Sequence, residues 1–260
     1  MTQKTIGFIG YGNMAQAIAS GLIKQGNITS KQIYACAKHW DSLFANATRD
    51  GVHACHSAKE VIEQADIICV AVKPKDIEEV LKPLTPLLKN KICISIVAGY
   101  PYAKLLFIGD IPIISIIPNL SVAIGEGIWI CEKEHSLSIE QYALVKDLFQ
   151  PIGMWYEADG SLLSIAGTIA GCTPAFVSLF IEALADGGVY CGLPREDAYQ
   201  LVTQMLLGAS KLHASTMGHP GAIKDRVCSP GGTTIRGVTS LEKNGFRSSV
   251  IEAIKDIEQK

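Results

Sequence analysis

The sequence predicts an α/β fold in which a mostly parallel sheet at the N-terminus is followed by an all-helical domain. Over the first half of the chain, short apolar runs alternate with amphipathic helical patterns, which is typical of a parallel sheet with crossover helices. After about residue 158 the strand-like runs stop and long helical patterns follow. We therefore expect one domain at residues 1–158 and a second at residues 159–260.

The predicted elements follow from apolar periodicity, which is two residues in strands and about 3.6 in helices. Apolar runs predict strands at residues 5–9, 32–36, 67–72, 92–97, 112–117, 127–131 and 153–156. Amphipathic patterns predict helices at residues 14–25, 41–50, 58–64, 75–88 and 138–148. In the second domain the helical patterns cover residues 160–187, 195–215, 232–244 and 246–258.

Composition limits the partners and the cellular location. The 260-residue chain has a formal net charge of −2, so no overall basic field favours nucleic acid or an anionic membrane. Eight cysteines are scattered without a Cys-x-x-Cys pair, and the first strand follows Lys4 too closely to leave room for a signal peptide, so the cytoplasm is expected. Residues 161–181 carry no charge, but their Gly, Thr, Ser and Pro content favours a buried helix pair or a dimer-core helix over a membrane span.

The turn after the first strand has the pattern Gly-x-Gly-x-x-Ala, the dinucleotide-binding fingerprint of a Rossmann fold. The first glycine permits a tight turn, the second allows a pyrophosphate to approach the backbone, and the alanine allows close packing of helix on strand. The helix N-terminus adds free N–H groups and the positive end of its dipole. The alternative is an ordinary glycine turn. The candidate cofactor residues are Gly10, Tyr11, Gly12, Asn13, Met14 and Ala15.

Other strand ends on the same edge of the sheet supply further candidate cofactor residues. An acid at the end of the second strand would favour NAD, whereas this chain has Lys38, which favours NADP with NAD still possible; otherwise Lys38 points into water. Lys73 either contacts cofactor phosphate or ribose or is a solvated lysine. Small residues and a side-chain amide at the later strand ends can border a nicotinamide ring. The remaining candidates are Ala71, Val72, Lys73, Pro74, Ala98, Gly99 and Asn119.

In the second domain, residues 228–235 read Cys-Ser-Pro-Gly-Gly-Thr-Thr-Ile and open a predicted helix. Consecutive small residues before a helix form a nest of backbone N–H groups, which suits a carboxylate. The alternative is an ordinary N-cap in which Thr233 or Thr234 satisfies the first turn. No metal site is predicted, since His53, Cys55 and His56 are too closely spaced for a known zinc pattern and are expected in a solvated loop.

Together these motifs resemble those of pyrroline-5-carboxylate reductases, the enzymes of the last step of proline biosynthesis. The resemblance covers nearly the whole chain: Gly-x-Gly-Asn-Met-Ala at 10–15, Ala-Val-Lys-Pro at 71–74, Ala-Gly at 98–99, Pro-Asn at 118–119, Glu-Ala-Leu-Ala-Asp-Gly-Gly-Val at 182–189, Gly-Leu-Pro-Arg at 192–195, His-Pro-Gly at 219–221 and Ser-Pro-Gly-Gly-Thr-Thr at 229–234. It implies an NADPH- or NADH-dependent reductase of the small cyclic imine 1-pyrroline-5-carboxylate. It also implies a homodimer, or a larger oligomer of dimers, with the substrate site at the interface of intertwined helical domains.

The resemblance further implies that residues 229–234 bind the substrate carboxylate, mainly through backbone N–H groups, with the catalytic Thr234 close to the ring nitrogen. The implied substrate-binding residues are Ser229, Gly231, Gly232, Thr233 and Thr234. The chain departs from the family pattern where Ser115, Leu120 and Ser121 replace arginine, threonine and proline, and where Thr173 replaces glycine. Two alternatives therefore stay open: a reductase for a related cyclic imino acid, and a catalytically silent NADP-binding paralogue.

Overall fold

The computed structural model describes residues 4–216 and 218–259. The chain separates into two compact units, Met1–Gly171 and Cys172–Lys260. The first unit carries a mostly parallel sheet and the second is helical, which confirms the predicted fold class. The domain boundary at residues 158 and 159 stays a prediction.

Within the described residues, the first unit contains a single eight-stranded sheet in which the strands run in the order β3-β2-β1-β4-β5-β6-β7-β8. Neighbouring strands are parallel except β6 and β7. The first six strands have the Rossmann order, so the crevice between the ends of β1 and β4 is the place where a ligand is expected. The strands are β1 (Ile6–Ile9), β2 (Ile33–Cys36), β3 (His53–Ala54), β4 (Ile67–Val70), β5 (Ile92–Ser95), β6 (Ile113–Pro118), β7 (Gly127–Glu132) and β8 (Gly153–Ala158).

Helices lie on both faces of this sheet, because apolar residues point from the central strands into a separate core on each side. The helices of the first unit are α1 (Asn13–Lys24), α2 (Trp40–Asp50), α3 (Ala58–Gln64), α4 (Ile77–Leu81), α5 (Thr85–Leu88), α6 (Tyr102–Leu105), α7 (Ile139–Phe149) and α8 (Leu163–Gly167). The second unit contains α9 (Thr173–Tyr190), α10 (Arg195–Thr216), α11 (Pro220–Arg226), α12 (Thr233–Lys243) and α13 (Phe246–Glu258).

The predicted helix at residues 75–88 is wrong as one continuous element. The segment consists of α4 and α5 with 3-10 turns at Pro74–Asp76 and Lys82–Leu84. Proline lacks a backbone N–H and its ring clashes with the preceding turn, so Pro83 and Pro86 prevent one regular helix.

The second unit buries very little apolar surface by itself. Among its described residues, only Ala185 and Ala198 are buried. The helical stretch Gly160–Tyr190 is long and apolar enough to cross a membrane by length and composition, yet only 17% of its most apolar window is buried. Most of this window is therefore exposed within one chain, and the dimer-core helix stays a prediction. Exposed apolar side chains of this unit include Val177, Leu179, Tyr190, Leu201, Met205, Leu207, Val227, Leu241, Phe246, Val250 and Ile251.

Candidate functional site

The glycine turn after β1 lies between the ends of β2 and β4. The Gly10 N–H donates to the carbonyl of Cys36 at 2.9 Å, and the Ala71 N–H donates to the carbonyl of Ile9 at 2.8 Å. Gly10 has a φ of +97°, and a Cβ at this position would lie 2.5 Å from the Ala71 carbonyl oxygen. Only glycine fits here, for its conformation and for the close approach. The structure thus brings together two of the predicted cofactor loops.

Gly12 leaves an open cradle at the N-terminus of α1. It is the N-cap residue and supplies no side-chain cap, and a Cβ built on it would meet no atom within 4 Å. The first-turn N–H groups of a helix have no intrahelical acceptors. Asn13 is exposed, Met14 is half-buried, and Ala15 is buried against the sheet. Uncapped amides beneath open space fit the pyrophosphate of a dinucleotide.

Tyr11 lies in the same turn, but its side chain is buried and engaged elsewhere. Its hydroxyl donates to Asp50 at 3.0 Å, and the guanidinium of Arg49 donates to both Asp50 and Gln16, each at 2.8 Å. Gln16 in turn donates to the Tyr11 carbonyl at 3.0 Å, which closes a ring of hydrogen bonds. Burial, with the charge of Asp50, raises the pKa of the Tyr11 hydroxyl. Any contact of Tyr11 with a cofactor is therefore through its backbone.

Lys38 follows the end of β2 and is exposed. Next to it, Trp40 begins α2, and its indole stacks on the His56 ring with centroids 3.8 Å apart. The edge of the sheet at which the adenosine ribose binds in Rossmann folds thus carries an exposed cation and an aromatic stack. The NADP preference that the sequence predicts from Lys38 stays a prediction.

The solvated loop expected at residues 53–56 is wrong in part. His53 belongs to β3 and stacks on Tyr34 of β2, with ring centroids 4.8 Å apart. Cys55 is buried, and its N–H donates to the carbonyl of Ala35 at 2.8 Å. Hydrogen bonding to β2 extends the sheet to these residues. Within the described part of the chain, no group of His, Cys, Asp or Glu residues is arranged to hold a metal ion.

The loop after β4 contains the next set of candidates. Ala71 and Val72 are half-buried, whereas Lys73 and Pro74 are exposed. Pro74 opens the 3-10 turn, in which the Asp76 N–H donates to the carbonyl of Lys73 at 2.9 Å. Lys73 therefore stands at an exposed strand end beside the glycine turn, where both of its predicted roles remain open.

Asn119 differs from the expected open amide at the end of β6. It is 7% exposed, and its side chain donates to the carbonyl of Ala170 at 3.0 Å and accepts from the Ile128 N–H at 3.2 Å. The amide thus ties β7 to the π-helical turn Thr168–Cys172. By contrast, Ala98 and Gly99 after β5 are exposed, and Gly99 has a φ of +73°.

The candidate substrate loop opens α12 in the second unit. Gly231 has a φ of +67°, and the Gly232 N–H donates to the carbonyl of Ser229 at 3.0 Å. Gly232 is the N-cap and supplies no side-chain cap, so the alternative of a threonine N-cap is wrong. Thr233 and Thr234 lie in the uncapped first turn and are exposed. Their amides and hydroxyls point to an anion-binding helix end, while the Gly232 amide is already used within the loop.

The His-Pro-Gly motif has a local structural role. The Nδ1 atom of His219 accepts a hydrogen bond from the Gly221 N–H at 3.1 Å and caps α11, whose first residue is Pro220. Proline suits the first position of a helix, where its missing N–H would have no acceptor.

One buried acid near the candidate site was missed by sequence reasoning. Glu132 ends β7, is 3% exposed, and accepts a hydrogen bond from the Tyr102 N–H at 2.6 Å. Burial raises the pKa of its carboxyl group. The one available sequence signal was an acidic residue closing the apolar run of residues 127–131.

Comparisons with known proteins agree with this geometry. Residues 160–260 match the pyrroline-5-carboxylate reductase dimerisation family, and residues 5–99 match the coenzyme F420-dependent NADP oxidoreductase family. The chain is 40% identical to pyrroline-5-carboxylate reductase of Treponema pallidum, over 96% of this chain and 97% of that protein, and 39% identical to that of Escherichia coli, over 97% and 95%. It is also similar to the crystal structure of Plasmodium falciparum pyrroline carboxylate reductase with NADP bound, with a TM-score of 0.90, 32% identity, and coverage of 99% of this chain and 96% of that chain.

Proposed function

This chain belongs to the pyrroline-5-carboxylate reductase family, and we propose that it reduces 1-pyrroline-5-carboxylate to L-proline with NADPH or NADH. The observation that carries this function is the glycine cradle, where Gly10 allows the tight turn and Gly12 leaves space above uncapped amides. An open cradle of this kind fits a dinucleotide pyrophosphate, and the crystal structure of the Plasmodium relative has NADP bound. The reaction completes proline biosynthesis.

The first unit holds the cofactor. The amides at the start of α1 would hold the pyrophosphate, Lys38 would bind the 2′-phosphate of NADPH, and the loops at Ala71 and Ala98 would line the remainder of the crevice. When bound, the reduced nicotinamide supplies the hydride that the imine carbon accepts. The protein contributes mainly by aligning the nicotinamide with the imine carbon and by excluding unproductive orientations. Such alignment can provide a large part of the rate acceleration.

The second unit binds the substrate. The first-turn amides of Thr233 and Thr234, with the left-handed Gly231, hold the carboxylate of the cyclic imine. The Thr234 hydroxyl hydrogen-bonds the ring nitrogen. A substrate bound as the iminium already carries the proton and needs only hydride. A neutral imine takes one proton at nitrogen as the carbon takes hydride, either from a water or through this hydroxyl, which a water then reprotonates. No histidine or carboxylate acid is required.

The working form is a homodimer, or a larger oligomer built from dimers, located in the cytoplasm. The second unit has an extensive exposed apolar surface and buries only Ala185 and Ala198 among its described residues. Large exposed apolar faces of this kind are covered by a partner. The match of residues 160–260 to a dimerisation family supports a second copy of the same chain as that partner. The substrate is a small molecule, and neither nucleic acid nor a membrane takes part.

The test of this function is NADPH oxidation in the presence of 1-pyrroline-5-carboxylate, comparing Thr234→Val with Thr239→Val. Thr239 lies on the same helix, but its hydroxyl donates to the Ile235 carbonyl at 2.8 Å, so it serves as the matched control. Loss of one oriented bond of about 1–3 kcal/mol should lower kcat/KM roughly 5- to 150-fold in Thr234→Val alone. A wild-type protein that binds NADPH but oxidises none with this substrate would remove the function.

A second candidate is reduction of a related, six-membered cyclic imino acid. The observation that favours it is the altered segment after β6, where Leu120 is exposed in place of the family threonine. A substrate panel that compares five- and six-membered rings by kcat/KM distinguishes the two. Binding of NADPH without turnover of either ring would instead indicate the silent paralogue.

A further inference from the structure

The carboxyl group of Glu132 is a buried ionisable group that the proposed mechanism does not use. It is 3% exposed at the end of β7, in a sheet whose neighbouring side chains are mostly apolar. Burying a carboxylate is unfavourable unless hydrogen bonds compensate for lost water. The buried Glu132 carboxylate therefore needs a hydrogen-bond donor from the protein in place of water.

That donor is the first backbone N–H of α6, the helix that follows the loop after β5. The Glu132 carboxylate accepts from the Tyr102 N–H at 2.6 Å. Ser115 and Glu132 each stand next in sequence to the antiparallel pair Ile116–Cys131, and the Ser115 hydroxyl donates to the Tyr100 carbonyl at 3.0 Å. One side chain of β6 and one of β7 thus hold the backbone at residues 100 and 102.

The loop that they hold contains two of the candidate cofactor residues. Ala98 and Gly99 are exposed, and the segment between β5 and α6 has no regular secondary structure. Gly99 has a φ of +73°, and its carbonyl accepts from the Lys104 side chain at 2.9 Å. A backbone hydrogen bond from the Tyr100 N–H to the Val97 carbonyl at 3.2 Å closes the turn, and the side-chain bonds of Ser115 and Glu132 fix the backbone that follows it up to the start of α6. A bond to an ionised acceptor is among the stronger of these.

We infer that Glu132 is a positioning residue that, together with Ser115, fixes the Ala98–Gly99 loop in the conformation that receives the nicotinamide end of the cofactor. The inference rests on the proposed cofactor and extends it to a residue outside the binding crevice. It also gives a role to Ser115, which stands where the family pattern has arginine.

The test compares two ligands by calorimetry on the full-length protein. NADP⁺ carries a nicotinamide, whereas adenosine 2′,5′-bisphosphate carries only the adenosine end. Glu132→Ala should weaken NADP⁺ binding about 10- to 100-fold, the effect of losing one charge-assisted bond, and leave the bisphosphate within about twofold. Glu132→Gln keeps an acceptor oxygen and should restore most of the NADP⁺ affinity. Glu157→Ala is the matched control, because Glu157 lies on β8 and accepts from Tyr142, and should change neither affinity.

Several results would overturn the assignment. An equal loss of affinity for both ligands in Glu132→Ala would indicate a general structural role, and unchanged NADP⁺ binding would remove any role. Glu132→Gln as damaging as Glu132→Ala would exclude this hydrogen bond as the cause. If Glu132→Ala does not fold, Ser115→Ala tests the same loop and should show a smaller, equally ligand-selective loss. Failure of the proposed function would appear separately, as wild-type protein that binds neither ligand or does not reduce the imine.

Discussion

Replacing Gly12 by alanine should weaken cofactor binding while leaving the stability of the fold nearly unchanged. The residue has a φ of −88°, which alanine adopts without strain, and a Cβ there meets no atom of the chain within 4 Å. The only expected effect on the free energy of unfolding is the poorer N-cap preference of alanine, about 0.5–1 kcal/mol. In the complex, however, the methyl group occupies the space that the pyrophosphate needs. Loss of one charged hydrogen bond, about 1.5–3 kcal/mol, raises the Kd of NADP⁺ roughly 10- to 150-fold.

Calorimetry with NADP⁺ and thermal unfolding of the ligand-free protein measure the two effects. The control is Gly10→Ala, since its φ of +97° and the Ala71 carbonyl 2.5 Å from the added Cβ should destabilise the fold itself, by about 1–2 kcal/mol from the conformation alone. An NADP⁺ affinity within twofold of wild type in Gly12→Ala would refute the proposal that the pyrophosphate binds in the open space above Gly12. A Gly10→Ala variant with the wild-type Tm would refute the packing of the two loops.

Three further changes test other parts of the structure. Gly21→Ala should lower Tm without a direct effect on the site, because the added Cβ would collide with the backbone carbonyl of Val122. Tyr142→Phe removes the hydrogen bond that, with Lys146, holds the pKa of Glu157 below its usual range. A depressed carboxyl pKa stabilises the fold at neutral pH, and this stabilisation is lost as the pH falls below about 4.3, so urea unfolding should show a smaller difference between wild type and variant in acid. Leu179→Asp places a charge on the exposed apolar surface of α9 and should yield a monomer by light scattering; a persisting dimer would contradict an interface on this face.

The order of strands and helices could largely be predicted because each has its own apolar period. Strand β1, helix α1 and the long helices α9 and α10 are each specified by local pattern and by a glycine or proline at the end. The short strand β3 could not be predicted in this way. Its two residues are too few to show an alternation of apolar and polar side chains. They form a strand because the Cys55 N–H donates a hydrogen bond to the Ala35 carbonyl of β2. Pro83 and Pro86 indicate a break in the helix at 75–88, whereas the apolar periodicity of the segment favours one continuous helix. The structure has the break.

In the candidate site, too, some residues could be predicted from the sequence and others could not. Gly10 and Gly12 could be assigned their roles from spacing alone, since a turn of this kind leaves few residue types that fit. Tyr11 lies between them, and its buried hydroxyl donates to Asp50, almost forty residues away in the chain. Asn119 is a predicted cofactor residue, and its side-chain amide bonds to Ile128 and Ala170 in the structure. A side-chain amide fits either role, and only the neighbours decide which one it takes.

The sequence by itself determined the fold class, the strand–turn–helix cradle and the family, because these depend on short-range patterns in which glycine, proline and apolar residues have few alternatives. The tertiary structure decided which polar side chains remain open to a ligand and which are used to hold the backbone. Hydrogen-bond partners of buried groups come from distant strands and loops, as with Glu132 and Tyr102. The free energy of such bonds depends on burial and geometry, which no local pattern encodes.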